Sequence, residues 1–250
     1  MTTPARTRPH LLLTRPRAQS ERFAARLGAR WPGLVVTMAP LMESVLQPAR
    51  ADAADGMRGL IFTSENGVAG FVAGCARRDL PVWCVGPRTA ETARAAGFGT
   101  VHVAGGDAQA LLSMLVQTAP PGPLLHLRGQ HAARAIADDL RAAGIAAQAL
   151  VVYDQRARPL DSAARALLDR PGEVIVPLFS PRTARLFAAS LNDITLRARI
   201  IPIAFSTAAA QPLSESHAAT LHIASAPDAT AMLAQIDNII RALETDRNPR

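Results

Sequence analysis

The side chains best suited to chemistry lie in short polar turns that follow apolar runs of the sequence. These turns combine serine, threonine, glycine and arginine, and they are Thr14-Arg15-Pro16, Thr63-Ser64, Gly86-Pro87, Gly105-Gly106, Arg128-Gly129, Ser180-Pro181 and Ser206-Thr207. Guanidinium groups, hydroxyls and the main-chain N–H groups of such turns are good partners for anions. The pattern therefore predicts a site for a ligand that carries several negatively charged groups.

The single tyrosine, Tyr153, is the side chain that the sequence offers for proton donation. It directly follows the apolar run at 149–152. A phenol at the end of a strand commonly does no more than keep its hydroxyl in water. In a site it can also donate a proton or a hydrogen bond. The sequence leaves both interpretations open.

Other kinds of catalytic site are not indicated. The sequence contains no glycine-rich nucleotide loop, no zinc-protease motif and no serine-hydrolase motif. Its six histidines lack the spacing of metal ligands, and the serines of the turns have no recurring histidine or aspartate partners. Two cysteines, Cys75 and Cys84, are too few for a disulfide framework or a zinc site, and Cys84 lies in an apolar run. We therefore expect neither a cofactor nor a metal.

Composition and charge narrow the class of protein. Hydrophobic residues make up 49% and charged residues 19% of the 250 residues, which is ample for a folded core. No apolar run approaches the ~20 residues of a membrane helix, and the run at 11–13 is too short for a secretory signal. The net charge of +7 comes with arginine and no lysine, but the arginines are scattered and aromatic residues are only 4%. We expect a cytoplasmic protein without a membrane or nucleic-acid partner.

The sequence repeats itself with a period of about 115 residues. Ile-Phe-Thr-Ser at 61–64 has its counterpart in Leu-Phe-Ser-Pro at 178–181, and Val-His-Val-Ala at 101–104 in Leu-His-Ile-Ala at 221–224. A weaker pair joins the runs at 12–16 and 125–129. The chain thus contains two copies of one structural unit.

Within each copy, short β-rich runs alternate with helical patterns. We predict strands at 10–14, 34–38, 59–63, 82–85, 100–103, 123–127, 147–153, 174–179, 200–205 and 220–224. We predict helices at 17–30, 66–77, 89–96, 108–117, 131–143, 161–169, 182–190, 207–213 and 229–244. Asp107 and Asp228 are the predicted N-caps, and Gly97 and Gly144 the predicted C-terminal stops. This alternation predicts an α/β fold with two similar parallel-sheet domains and flanking helices.

A set of motifs in this order and spacing resembles the uroporphyrinogen-III synthase family over nearly the whole chain. The motifs are Leu-Leu-Thr-Arg-Pro (12–16), Ile-Phe-Thr-Ser-Glu-Asn-Gly-Val (61–68), Val-Gly-Pro-Arg-Thr-Ala (85–90), Leu-Arg-Gly (127–129), Val-Tyr (152–153), Phe-Ser-Pro-Arg-Thr-Ala (179–184) and Ala-Ser-Ala-Pro (224–227). The resemblance implies two α/β domains joined by a two-stranded linker, with the active site in the cleft between them. It also implies a discontinuous first domain of residues 1–38 plus 155–250 and an inserted second domain of residues 40–152. The repeat alone would suggest two consecutive domains.

The resemblance further implies an enzyme, a cyclising hydro-lyase of tetrapyrrole and haem biosynthesis. Its reaction closes hydroxymethylbilane to uroporphyrinogen III, with loss of water and inversion of the terminal pyrrole ring. The expected substrate-binding residues are Arg15, Thr63, Ser64, Thr89, Arg128, Gly129, Ser180 and Ser206, partly through main-chain amides. Tyr153 is the expected group for assisting departure of the hydroxyl.

One motif departs from the family pattern. Where a second Val-Gly-x-x-Thr-Ala would fall, at 205–210, the chain has Ser206 in place of glycine and Ala209 in place of threonine. A family hydroxyl contact at this position would have to come from Ser206 or Thr207.

Partners and alternatives follow from the same features. We expect a monomer with a small-molecule tetrapyrrole substrate, and we leave open a transient contact of the tail at 245–250 with the preceding enzyme of the pathway. Two other classes stay open at this point. One is a two-lobed effector-binding module without catalysis, and the other is a basic nucleic-acid binder whose affinity falls steeply with salt.

Overall fold

The structure, a computed structural model, describes residues 9–131, 134–213 and 221–246. His217, position 220 of a predicted strand, 132–133 of a predicted helix and 247–250 of the tail lie outside these ranges. The strands are β1 (His10–Leu13), β2 (Val35–Met38), β3 (Met42–Leu46), β4 (Gly59–Phe62), β5 (Val82–Cys84), β6 (Val101–Val103), β7 (Leu124–Gly129), β8 (Ala147–Ala157), β9 (Glu173–Leu178), β10 (Arg199–Ala204) and β11 (His222–Ile223). The helices are α1 (Arg17–Gly28), α2 (Glu65–Val72), α3 (Pro87–Ala95), α4 (Ala108–Thr118), α5 (Ile136–Ala142), α6 (Ser162–Leu168), α7 (Pro181–Leu191), α8 (Thr207–Ala210) and α9 (Ala229–Asp246), with a 3-10 turn at Gln211–Leu213.

The chain divides into two compact units. Unit 1 comprises Met1–Glu43 and Ala157–Arg250, and unit 2 comprises Ser44–Arg156. Both crossings between the units fall in strands, β3 and β8, which are neighbours in one sheet. At both points where the chain passes from one unit to the other, it is part of a hydrogen-bonded strand and not of a loop.

Each unit is built on its own parallel sheet. Unit 1 holds a five-stranded sheet of order β11-β10-β9-β1-β2, in which every neighbouring pair is parallel. A six-stranded sheet of order β3-β8-β7-β4-β5-β6 forms the second unit, and its pairs from β8 to β6 are parallel. The predicted α/β fold with two parallel sheets and flanking helices is confirmed.

The sheets are covered on both faces, as parallel sheets require. In β4, Leu60 and Phe62 pack into one apolar cluster and Ile61 packs into the cluster on the opposite face. In β1, Leu12 faces one cluster while its neighbours Leu11 and Leu13 face the other. Successive side chains of a strand point to opposite faces, so continuous apolar runs fill two cores.

The predicted helix signals are confirmed. Asp107 and Asp228 accept hydrogen bonds from main-chain N–H groups at the starts of α4 and α9. Gly97 and Gly144 follow the ends of α3 and α5 with φ of +96° and +83°. Such left-handed backbone is the ordinary helix stop, and glycine adopts it without a Cβ clash.

One strand and several element bounds differ from the sequence prediction. Helix α2 ends at Val72 instead of 77, shortly before Gly74. Strand β3 was not predicted, because Glu43 and Ser44 interrupt its apolar pattern. Strand β8 continues to Ala157 through polar residues that are paired only in the folded sheet. Helix α5 begins at Ile136 instead of 131.

In the described part of the chain, no helix is both long enough and apolar enough to cross a membrane.

Candidate functional site

The carboxyl ends of β4 and β7, with the neighbouring part of β8, bring most of the predicted residues of unit 2 together. Thr63 and Ser64 follow β4, while Arg128 and Gly129 end β7, the neighbour of β4. Tyr153 lies in β8, the other neighbour of β7, and is paired with Gly129. Parallel strands end at the same edge of a sheet, and that edge is where ligands of α/β proteins bind. We call these five residues the unit 2 edge.

Tyr153 is held against the main chain of Gly129. The register between β7 and β8 shifts at Arg128/Gly129, and the N–H of Gln130 donates to the carbonyl of Tyr153 over 2.9 Å. A Cβ added to Gly129 would lie 2.7 Å from Cε2 and 3.1 Å from the hydroxyl oxygen of Tyr153. Only glycine leaves the phenol ring in this position.

Thr63 has a partner that the sequence did not indicate. Its Oγ1 lies 3.3 Å from Nε2 of His126, a residue of β7 that is 1% exposed. Burial, and to a smaller extent the charge of Arg128, lowers the pKa of His126 to about 4. The ring is therefore neutral near pH 7. His126 and Arg128, with Arg134 and Asp138 of the α5 region, line a cavity of about 190 Å³.

The predicted serines are helix N-caps. Ser64, Ser180 and Ser206 precede α2, α7 and α8, and their hydroxyl oxygens accept hydrogen bonds from Asn66, Thr183 and Ala209 main-chain N–H groups at 3.2, 3.1 and 3.3 Å. An N-cap oxygen that accepts from the helix still has its own hydrogen for donation. At Ser180 the Oγ also lies 2.9 Å from Oγ1 of Thr183, and its hydrogen is available to a ligand when Thr183 is the donor of that bond. A role in the fold and a contact to an anion are therefore compatible at the same hydroxyl.

Thr89 differs from the other predicted hydroxyl residues because it is only 5% exposed. It lies in the first turn of α3, three residues after the N-cap Gly86. The corresponding turn of unit 1 has Ser206 at the N-cap and the buried Ala209 three residues later. Compared with the turn at 86–89, the turn at 206–209 therefore has serine instead of glycine at the N-cap. It also has a methyl group where Thr89 has a buried hydroxyl.

The predicted residues of unit 1 also follow neighbouring strands. Arg15 follows β1, Ser180 follows β9 and Ser206 follows β10, and these strands are adjacent in the sheet. The guanidinium of Arg15 lies 4.0 Å above the ring of Phe179, and its Nε donates to Gln19 at 3.1 Å. A cation over an aromatic face is attracted to the ring, which favours this position of the Arg15 charge. We call Arg15, Ser180 and Ser206 the unit 1 edge.

Two residues with a part in these edges were not singled out from the sequence. Phe179 supports Arg15, and His126 contacts Thr63. A signal for His126 exists, since in Leu125-His126-Leu127-Arg128 the histidine shares the face of Arg128 at strand spacing.

Cys84 is buried as expected, and burial raises its thiol pKa to about 11, which suppresses the reactive thiolate.

Ser180 caps α7 and is also a predicted ligand-binding residue. Two substitutions can therefore distinguish its effect on stability from its effect on binding. We expect Ser180→Ala to lower the free energy of unfolding by about 1 kcal/mol, because the cap is lost. Ser180→Asp retains a capping oxygen, and we expect it to stay within about 0.5 kcal/mol of the unchanged protein. Its added negative charge should weaken binding of an anionic ligand more than the alanine does. Denaturation and ligand titration of both variants check this, and equal binding by the two would contradict it.

The fold and its edges define a class of protein: an α/β protein with two parallel sheets whose carboxyl ends carry hydroxyl and guanidinium groups. The sequence profile described as Uroporphyrinogen-III synthase HemD matches residues 21–234. The chain therefore belongs to the uroporphyrinogen-III synthase family, which implies an enzyme of tetrapyrrole biosynthesis.

Two solved structures have a similar fold. The uroporphyrinogen-III synthetase of Helicobacter pylori has 18% sequence identity and a TM-score of 0.64, over 92% of this chain and 99% of that chain. A mutant uroporphyrinogen III synthase of Thermus thermophilus has 13% identity and a TM-score of 0.50, over 94% of this chain and 99% of that chain. At such identities the likeness shows the fold. No curated protein matches the chain significantly.

Proposed function

We propose that the protein is a uroporphyrinogen-III synthase, which converts hydroxymethylbilane to uroporphyrinogen III. The match of the family profile over residues 21–234 carries this proposal. The proposed enzyme is a cyclising hydro-lyase, acts as a monomer and has a tetrapyrrole as its substrate. The proposed place of action is the cytoplasm, which keeps thiols reduced, and both cysteines of the chain are unpaired.

In this reaction the enzyme has to orient the substrate more than to activate it chemically. Hydroxymethylbilane is a linear tetrapyrrole with acetate and propionate groups, and a pyrrole nitrogen of the substrate itself expels the terminal hydroxyl. Without an enzyme the chain closes with no inversion and gives the type I isomer. The enzyme must hold the chain so that the terminal ring attacks through its substituted carbon, forming a spiro intermediate that reopens with the ring inverted. Orientation of this kind can supply most of the selectivity.

Both edges carry groups that suit the carboxylates of such a substrate. In the proposed site, Arg15 and Arg128 supply positive charge, and Thr63, Ser64, Thr89, Ser180 and Ser206 supply hydroxyls or main-chain N–H groups, together with the main chain of Gly129. Hydrogen bonds to charged groups contribute about 1.5–3 kcal/mol each. Because about 1.4 kcal/mol corresponds to a tenfold preference, a few such contacts suffice to favour one isomer strongly.

Tyr153 is the proposed donor to the departing hydroxyl. Its proton goes to the leaving oxygen, the carbon–oxygen bond breaks and water is released, while the pyrrole nitrogen supplies the electron pair. The close approach of Gly129 to the ring supports this role, since the missing Cβ leaves room for the phenol beside the main chain of the unit 2 edge. General-acid assistance typically contributes 10²–10⁴-fold.

Tyr153→Phe tests this role directly. We expect turnover to fall by about 10²-fold or less, because the substrate's own nitrogen already drives departure. Gly129→Ala retains the phenol but displaces its ring, so it should also slow turnover. Initial rates with hydroxymethylbilane measure both effects, and denaturation of each variant is the control for folding. An unchanged rate in Tyr153→Phe removes Tyr153 from the mechanism.

Analysis of product isomers tests the proposed function itself. Purified protein is mixed with hydroxymethylbilane, and the products are oxidised and separated into types I and III. We expect mainly type III with the protein and type I in buffer alone. Binding of the bilane with no shift of isomers would instead indicate a binding module without catalysis.

A further inference from the structure

His126 lies at the centre of unit 2, in strand β7 between β4 and β8. It is 1% exposed, and its Nε2 is 3.3 Å from Oγ1 of Thr63. Its other ring nitrogen, Nδ1, is buried and has no hydrogen-bond partner among the described residues. Among the described residues, Thr63 is therefore the side chain to which the buried ring can hydrogen-bond.

The neutral ring carries one N–H, and its place decides the direction of the bond to Thr63. If Nδ1 carries the hydrogen, a buried donor is left unpaired and Nε2 accepts the Thr63 hydroxyl hydrogen. If Nε2 carries it, the bond to Thr63 is made by the ring and only an acceptor is left unpaired. Unpaired buried donors are the rarer of the two in proteins. The second arrangement is therefore favoured.

We propose that His126 is a positioning residue that donates its Nε2–H to Oγ1 of Thr63 and so leaves the Thr63 hydroxyl hydrogen for a carboxylate of the substrate. Ionised carboxylates only accept hydrogen bonds. A threonine whose hydroxyl hydrogen is donated to the ring could therefore not donate it to a carboxylate. The proposal rests on the proposed function, since it assigns a direction to one contact of that site. His126 itself does not touch the substrate.

The state of the ring supports this arrangement. Burial and the nearby Arg128 keep the pKa of His126 at about 4, so the ring stays neutral where the enzyme works. A charged ring would donate from both nitrogens and would place a second cation beside Arg128. The neutral ring sets the orientation of the hydroxyl without adding charge.

Nitrogen NMR of protein labelled at histidine measures the tautomer directly. The signals of His126 are assigned by their loss in His126→Gln, and the shifts of the two ring nitrogens show which one is protonated. We expect the hydrogen on Nε2 at pH 7. A hydrogen on Nδ1 overturns the proposal. The measurement needs no activity, so it decides the point even if the protein makes no type III isomer.

A double-mutant cycle tests whether His126 acts through Thr63. We expect His126→Leu and Thr63→Val each to raise KM for hydroxymethylbilane about tenfold, because each loses the oriented hydrogen bond. The double variant should be no weaker than either single one, and His126→Gln, which retains an N–H donor, should restore most of the affinity. Multiplied effects in the double variant, or no rescue by glutamine, would show that His126 acts only through packing.

Discussion

Changing Gly70 to alanine will lower the free energy of unfolding of unit 2 by about 3 kcal/mol or more. Gly70 lies in α2, where a Cβ would come 2.2 Å from the carbonyl oxygen and 2.8 Å from the Cβ of Val152. Both atoms belong to β8 and cannot move without disturbing the sheet. The gain in helix propensity from glycine to alanine, about 1 kcal/mol, is too small to offset this clash.

Gly99→Ala is the matched control in the same unit. A Cβ on Gly99 meets no atom within 4 Å, and we expect its effect to stay within about 0.5 kcal/mol. Trp83 lies in β5 of unit 2, and Trp31→Phe removes the tryptophan of unit 1. Denaturation followed by Trp83 fluorescence in this background compares the two variants. Unfolding of both at the same denaturant concentration would show that α2 and β8 do not pack as described.

Acid will destabilise unit 2 through His126. The folded pKa of about 4 lies below the ordinary value of 6.5, so between these pH values the unfolded chain takes up a proton that the folded chain does not. Stability from this group is complete above pH 6.5 and falls as the pH decreases toward 4. The full loss is about 3 kcal/mol, since each pKa unit corresponds to about 1.4 kcal/mol.

His126→Gln isolates this contribution, because glutamine does not titrate in that range. Arg128, Arg134 and Asp138, which line the same cavity, are present in both proteins. We expect the unfolding free energy of the unchanged protein to fall by about 3 kcal/mol more than that of the variant between pH 7 and pH 4. Parallel pH profiles would contradict the burial of a neutral histidine at this position.

The sheets could be predicted from the sequence because their strands are buried on both faces. Runs such as 59–62 and 174–178 are continuously apolar, and each is followed by a capped helix, so pattern and local chemistry agree. Strand β3 escaped prediction because it holds Glu43 and Ser44. Only pairing with β8 makes it a strand, and that pairing joins residues about 110 positions apart in the chain.

The turns of the site could be predicted, but their contacts could not. Arg15, Thr63 and Ser180 follow apolar strands in the sequence, which is enough to place them at sheet edges. The contact of His126 with Thr63 depends on the register of β7 against β4. The packing of Tyr153 on Gly129 depends on a register shift that no local pattern marks.

A single turnover of hydroxymethylbilane with excess protein tests most directly whether binding controls the position of ring closure. Wild-type protein and Tyr153→Phe are compared with buffer alone, and the isomers are separated after each reaction has gone to completion. We predict type III as the main product of both proteins, formed more slowly by the variant, and type I in buffer. Type I from the wild-type protein would contradict the proposed function, and type I from the variant alone would transfer the control of position from the binding edges to the phenol of Tyr153.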